Sequence, residues 1–112
     1  MRTLSILAIN LACLTASLAL AAEARIDIVS PADGSKLTAV DRHMFAYEVT
    51  LGGGGDHAHL YVDGKEMAVL RQAKGSITLD QMERGVREIC AKMVNKNHTP
   101  IGIERCIKVT VE

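Results

Sequence analysis

The chain has 112 residues, with 13 Lys and Arg set against 13 Asp and Glu, so its formal net charge is zero. With no basic surplus there is no patch of the kind nucleic acid requires. With aromatic residues at 3% and no tryptophan, a carbohydrate-stacking platform lacks its material.

The first 22 residues read as a signal peptide rather than as part of a fold. Arg2 supplies a positive start, "LSILAINLACLTASLAL" an apolar run, and "ALAAEA" the small residues a signal peptidase reads. Cleavage after Ala21 or Ala22 fits, with Ala24 as a further site. Asn10, Thr15 and Ser17 dilute the run below what a membrane span of about 20 apolar residues needs. Asn10 also stands where a lipoprotein signal at Cys13 wants an aliphatic residue. The expectation is one exported, periplasmic domain over 23–112, with no membrane anchor after cleavage. Losing Arg2 takes the basic count from 13 to 12 against 13 acidic residues, a net charge of −1.

After the signal, "ARIDIVSPADG" is a short β-run ended by Pro31 and a turn. "MFAYEVTL" alternates so that Phe45, Tyr47, Val49 and Leu51 share a face. Gly52 to Gly55 form a loop. "HAHLYV" then places Ala58, Leu60 and Val62 on one face, and His57, His59 and Tyr61 on the other, polar one. Asp63-Gly64 is a favoured two-residue hairpin turn, and "KEMAVL" returns as the partner strand. "GSITL" follows, then "LDQMERG", read as a tight, partly helical crossover between sheets. "VREICAKMVN" and "IGIERCIKVTVE" are the last strands. About seven short strands with turns between them predict an all-β fold: an antiparallel immunoglobulin or fibronectin type III-like β-sandwich.

The last hairpin tests its own register. If the turn centres on His98, Cys90 faces Cys106, Ile89 faces Ile107, Ala91 faces Arg105, Lys92 faces Glu104 and Met93 faces Ile103. Ile89, Ala91 and Met93 then point inward, while the two cysteines meet on the outer face as a disulfide. Arg105 is the misfit and is expected near an open end or snorkelling. A bridge closing 15 intervening residues stabilises by about 3 kcal/mol on the loop-entropy model, less any strain. No C-x-x-C motif argues for a redox role instead.

His57 and His59, two apart on a strand, leave the same face roughly 6–7 Å apart along the chain. In a sandwich of this type the glycine loop and the loop "NKNHTPIG" lie at the same end, so His98 can join the pair. Three neutral imidazoles suit Cu²⁺ or, alternatively, Zn²⁺, with water or Asp56 completing the shell. Met44 and Met93 are nearby thioethers, though Met93 reads better as core filler. His43, before its strand, reads as a surface residue toward the opposite end. Histidines on an exposed polar face need no ligand to explain them, so a non-enzymatic structural or protein-interaction module of the periplasm stands as the alternative.

Enzymatic patterns are absent. A blue-copper centre wants Cys, His and Met on one short loop, and here seven residues separate Cys90 from His98. No serine sits in a nucleophile context, and the glycine run is followed by no lysine-serine pair. The expected role is metal storage, delivery or tolerance rather than catalysis.

"SPADG", "HAHLYVDG" and "VNKNHTPIG" together resemble small exported bacterial immunoglobulin-like proteins that carry H-x-H-x-x-x-D-G followed by N-H-x-P-x-G. The resemblance spans nearly all of residues 23–112 and implies fold and export rather than an activity. Its matching positions are His57, His59, Asp63, Gly64 and His98. One departure is Arg87, where a histidine commonly follows the glycine by two.

Overall fold

The computed structural model describes residues 23–112; the expected signal segment, residues 1–22, lies outside them. Among the described residues eight strands form: β1 Arg25–Ser30, β2 Lys36–Leu37, β3 Met44–Thr50, β4 His57–Val62, β5 Lys65–Leu70, β6 Lys74–Thr78, β7 Gly85–Val94 and β8 Pro100–Val111. They make two sheets, ordered β1-β3-β6 and β2-β8-β7-β4-β5. All pairings are antiparallel except the two-residue β2, which runs parallel to β8.

Alternation decides which side chains meet between the sheets. Phe45, Tyr47 and Val49 of β3 are buried, as are Ala58 and Leu60 of β4 and Ile89, Ala91 and Met93 of β7. Leu51 departs from the expected face. It lies past the end of β3 and is exposed, because the chain has already turned into the glycine loop.

That loop is packed at its two ends, Gly52 and Gly55, and open at Gly53 and Gly54. A Cβ at Gly55 would stand 2.6 Å from the Sδ of Met93, and one at Gly52 would stand 2.7 Å from the Cβ of Ala24. Both are closer than non-bonded heavy atoms approach, so a side chain at either position would force this loop off the sandwich edge. Asp63 and Gly64, with φ of 49° and 82°, make the expected two-residue turn between β4 and β5. "LDQMERG" does cross from one sheet to the other, but as irregular chain rather than partly helical. Leu79 is buried and Met82 partly so, and these two side chains anchor it.

The β7–β8 register follows the expected pairing from Ile89 opposite Ile107 to Lys92 opposite Glu104, and Ala91 lies opposite Arg105. Beyond Lys92 it departs: Val94 pairs with Pro100, and Met93 no longer faces Ile103. Two extra residues bulge out of β8, with Gly102 at φ 88°. The bulge shortens the turn, which now closes over Asn95–Thr99. Cys90 and Cys106 are bonded, with Cα atoms 4.1 Å apart. Lys92 and Glu104 form an ion pair at 3.8 Å. Arg105 reaches Asp27 of β1 at 3.9 Å from an exposed position, which resolves its misfit at the sheet edge.

Candidate metal centre

β4 lies between β5 and β7, so its outward side chains are flanked on both sides. His59 stands opposite Val69 on β5 and Lys92 on β7, and His57 stands opposite Val94. The sequence expectation of a solvated face fails here, since His57 and His59 are each only 4% exposed. The turn after β7 reaches both rings through His98, and Val94, opposite His57, is also fully buried.

The turn is shaped by Asn95. Its backbone N–H donates to the Thr99 carbonyl at 2.9 Å, and its own carbonyl accepts from the His98 N–H at 3.0 Å. Its side-chain oxygen accepts from the Asn97 N–H at 2.9 Å and the Thr99 N–H at 3.1 Å. This Asx geometry holds His98 in the left-handed region, φ 61°, which an L residue adopts at a cost of roughly 1–2 kcal/mol. The consequence is directional: His98 points back across the sheet toward β4.

Three ring nitrogens converge. His57 Nε2 lies 3.0 Å from His59 Nε2 and 3.2 Å from His98 Nδ1, and His59 Nε2 lies 3.0 Å from His98 Nδ1. The other nitrogens of the buried pair are spoken for. His57 Nδ1 is 2.7 Å from an Asp56 carboxylate oxygen, and His59 Nδ1 is 3.0 Å from Glu66. A carboxylate accepts only, so these contacts assign the proton to Nδ1 in both rings and leave lone pairs on both Nε2 atoms. Two lone pairs then face each other at 3.0 Å, and one proton on His98 can bridge at most two of the three contacts. Protonating His59 instead is opposed first by burial, which pushes its pKa down; the neighbouring Glu66 acts in the opposite direction.

The three nitrogens could hold a transition-metal ion, which would place positive charge between the facing lone pairs. His57 Nε2, His59 Nε2 and His98 Nδ1 would be its ligands, their mutual distances of 3.0–3.2 Å suiting three imidazoles on one ion. The carboxylates behind His57 and His59 are the outer partners that metal-bound imidazoles ordinarily have. Asp56 is thus placed differently from the sequence expectation: it orients His57 from behind instead of completing the shell. Its carboxylate is held below the usual range chiefly by the hydrogen bond from that imidazole.

The structure brings His57, His59 and His98 together and leaves the other candidates elsewhere. Met93 points inward between the sheets, and Met44 belongs to the first sheet, accepting a bond from Thr78. His43 lies at the far end of β3, half-buried, its Nε2 at 2.8 Å from the Thr38 carbonyl oxygen. Asp63 belongs to the opposite end of β4. It accepts from the Glu88 N–H at 2.9 Å and from Arg87 at 3.0 Å. Arg87, which departs from the pattern of the proteins the sequence resembles, therefore latches the β4–β5 turn at the end of β4 away from His57. Glu66 is the functional residue that sequence reasoning missed. It comes into reach because β5 carries one extra residue, Met67, against β4, and nothing in the local alternation signals that bulge.

No family model matches the chain, and no curated protein does. Solved structures do. The fibronectin(III)-like modules of Clostridium thermocellum CbhA superpose with a TM-score of 0.66 at 13% identity, covering 80% of this chain and 47% of that one. The fold is an immunoglobulin/fibronectin type III-like β-sandwich. The CARDB domain of the PF1109 protein from Pyrococcus furiosus, in complex with di-metal ions, gives 0.57 at 13% identity over 80% of this chain and 88% of that one. A Jonesia denitrificans lytic polysaccharide monooxygenase gives 0.52 at 17% identity, over 73% and 60% respectively. The chain spans about half the length of the first of these, and at such identities the likeness is one of fold.

Proposed function

We propose that the protein is an exported, periplasmic metal-binding module that holds one copper ion on His57, His59 and His98, for storage, delivery or tolerance rather than turnover. The observation that carries this is the convergence of three imidazole nitrogens within 3.0–3.2 Å, two of them with lone pairs fixed by Asp56 and Glu66. A polar patch with no ligand has no reason to bury two such rings against each other. Copper is the first choice because an all-nitrogen site binds Cu²⁺ most tightly among the divalent first-row ions. Zn²⁺, which also takes imidazole ligands, would compete for the same three nitrogens. The ions of the CARDB domain, at 13% identity, carry no information about these three histidines. The Cys90–Cys106 bridge supports the assignment to an oxidising compartment.

The test is a titration of the chain from residue 23 onward with Cu²⁺ and with Zn²⁺ against a chromophoric chelator. One equivalent of copper is expected, weakened at least tenfold by His57→Ala and by His98→Ala. Parent-like titration of both variants overturns the site.

A further inference from the structure

The metal centre and the cysteine pair occupy one face of one sheet. His59 and Tyr61 are two apart on β4 and share that face, with ring centroids 6.4 Å apart. Tyr61 is paired directly with Cys90, and Cys90 with Cys106. Lys92 completes the row: it stands opposite His59, and its ammonium lies 4.9 Å from the centre of the Tyr61 ring. Cys90 is thus a diagonal neighbour of His59, a separation of about 7–8 Å between strands. Cys106 is exposed, and the Glu88 carboxylate lies 3.5 Å from Cys90 Sγ.

A freshly exported chain carries these cysteines as thiols, and closing the bridge requires something to accept two electrons. We propose that cupric ion seated on the three histidines is that acceptor, so that the protein closes its own disulfide while converting Cu²⁺ to Cu⁺. This rests on the copper reading above.

The step balances with two ions passing through the site in turn. Both thiols lose their protons, to solvent by way of the Glu88 carboxylate beside Cys90. The first Cu²⁺ takes one electron from the thiolate pair, which joins as a disulfide radical anion, and leaves as Cu⁺. A second Cu²⁺ takes the remaining electron, and the sulfur–sulfur bond is complete. Two thiols and two cupric ions give one disulfide, two cuprous ions and two protons. Nitrogen-only coordination suits the cupric ion, whereas Cu⁺ prefers soft sulfur donors. With Met44 and Met93 both off this face, the site has no thioether from these two residues to retain the reduced ion.

The experiment starts from the chain from residue 23 onward, reduced, freed of reductant and kept free of oxygen. Cu²⁺ is added, free thiols are counted over time, and Cu⁺ is read with a colorimetric cuprous chelator. The parent is expected to yield two Cu⁺ per disulfide, at least tenfold faster than His98→Ala, whose change lies in an exposed turn. Loading with redox-inert Zn²⁺ beforehand is expected to slow the parent by a similar factor. If the reduced parent binds no copper, the metal reading itself falls. If it binds copper tightly yet closes its bridge no faster than His98→Ala, or is indifferent to Zn²⁺, this inference alone is overturned.

Discussion

Asn95→Ala isolates the aim of His98 without removing a ligand. The substitution deletes an acceptor that holds the Asn97 and Thr99 N–H groups at 2.9 and 3.1 Å. Each such bond contributes about 0.5–1.5 kcal/mol net, and the loop is exposed, so a total of about 1–2 kcal/mol is appropriate. With that restraint gone, His98 at φ 61° is free to relax toward an ordinary conformation that turns its ring from β4. The aimed population then falls by roughly 5–30-fold, and the apparent dissociation constant for metal rises by the same factor. Competition against a chromophoric chelator measures this directly. Asn95→Asp keeps an acceptor at the same position and is expected to recover most of the affinity. In a His98→Ala background, Asn95→Ala is expected to add nothing. An Asn95→Ala affinity within twofold of the parent, or an equal loss in both backgrounds, refutes the reasoning.

Glu66→Gln keeps a hydrogen-bond acceptor beside His59 but removes its charge, and a 10–100-fold loss of metal affinity is expected by the same titration. Joint replacement of Cys90 and Cys106 by serine removes about 3 kcal/mol, which corresponds to a melting temperature lower by roughly 12–24 °C for a domain of this size by calorimetry. Asp63 is held below the usual carboxylate range, first by the Glu88 N–H and then by Arg87. Its folded value therefore lies under its unfolded one, so its contribution is full above about pH 4–5 and is lost as pH falls through the folded value. The melting-temperature gap between parent and Asp63→Asn is accordingly expected to close on acidification from pH 6 to pH 2; a constant gap contradicts the assignment.

Much of this molecule is written locally. A period of two in "MFAYEVT" and "HAHLYV" names the inward residues, because successive side chains of a strand leave opposite faces. Centring the hairpin on His98 pairs Cys90 with Cys106; the structure keeps that pair although the turn itself closes from Val94 to Pro100, because the two extra residues of β8 restore the register beyond it. The convergence of histidines followed from topology once the sandwich was assumed, as strands β4, β7 and β8 share a sheet. The tertiary structure alone decided the chemistry of that meeting. The bulge at Ile101–Ile103 shortens the turn, the Asx geometry of Asn95 aims His98, and the extra residue in β5 brings Glu66 to His59. Alternation along a strand is blind to all three, because bulges and left-handed turn residues break the very period from which it reads. Burial of His57 and His59 lay equally out of reach: their cover comes from a loop some 40 residues downstream, and only closure of the chain in space places it over them.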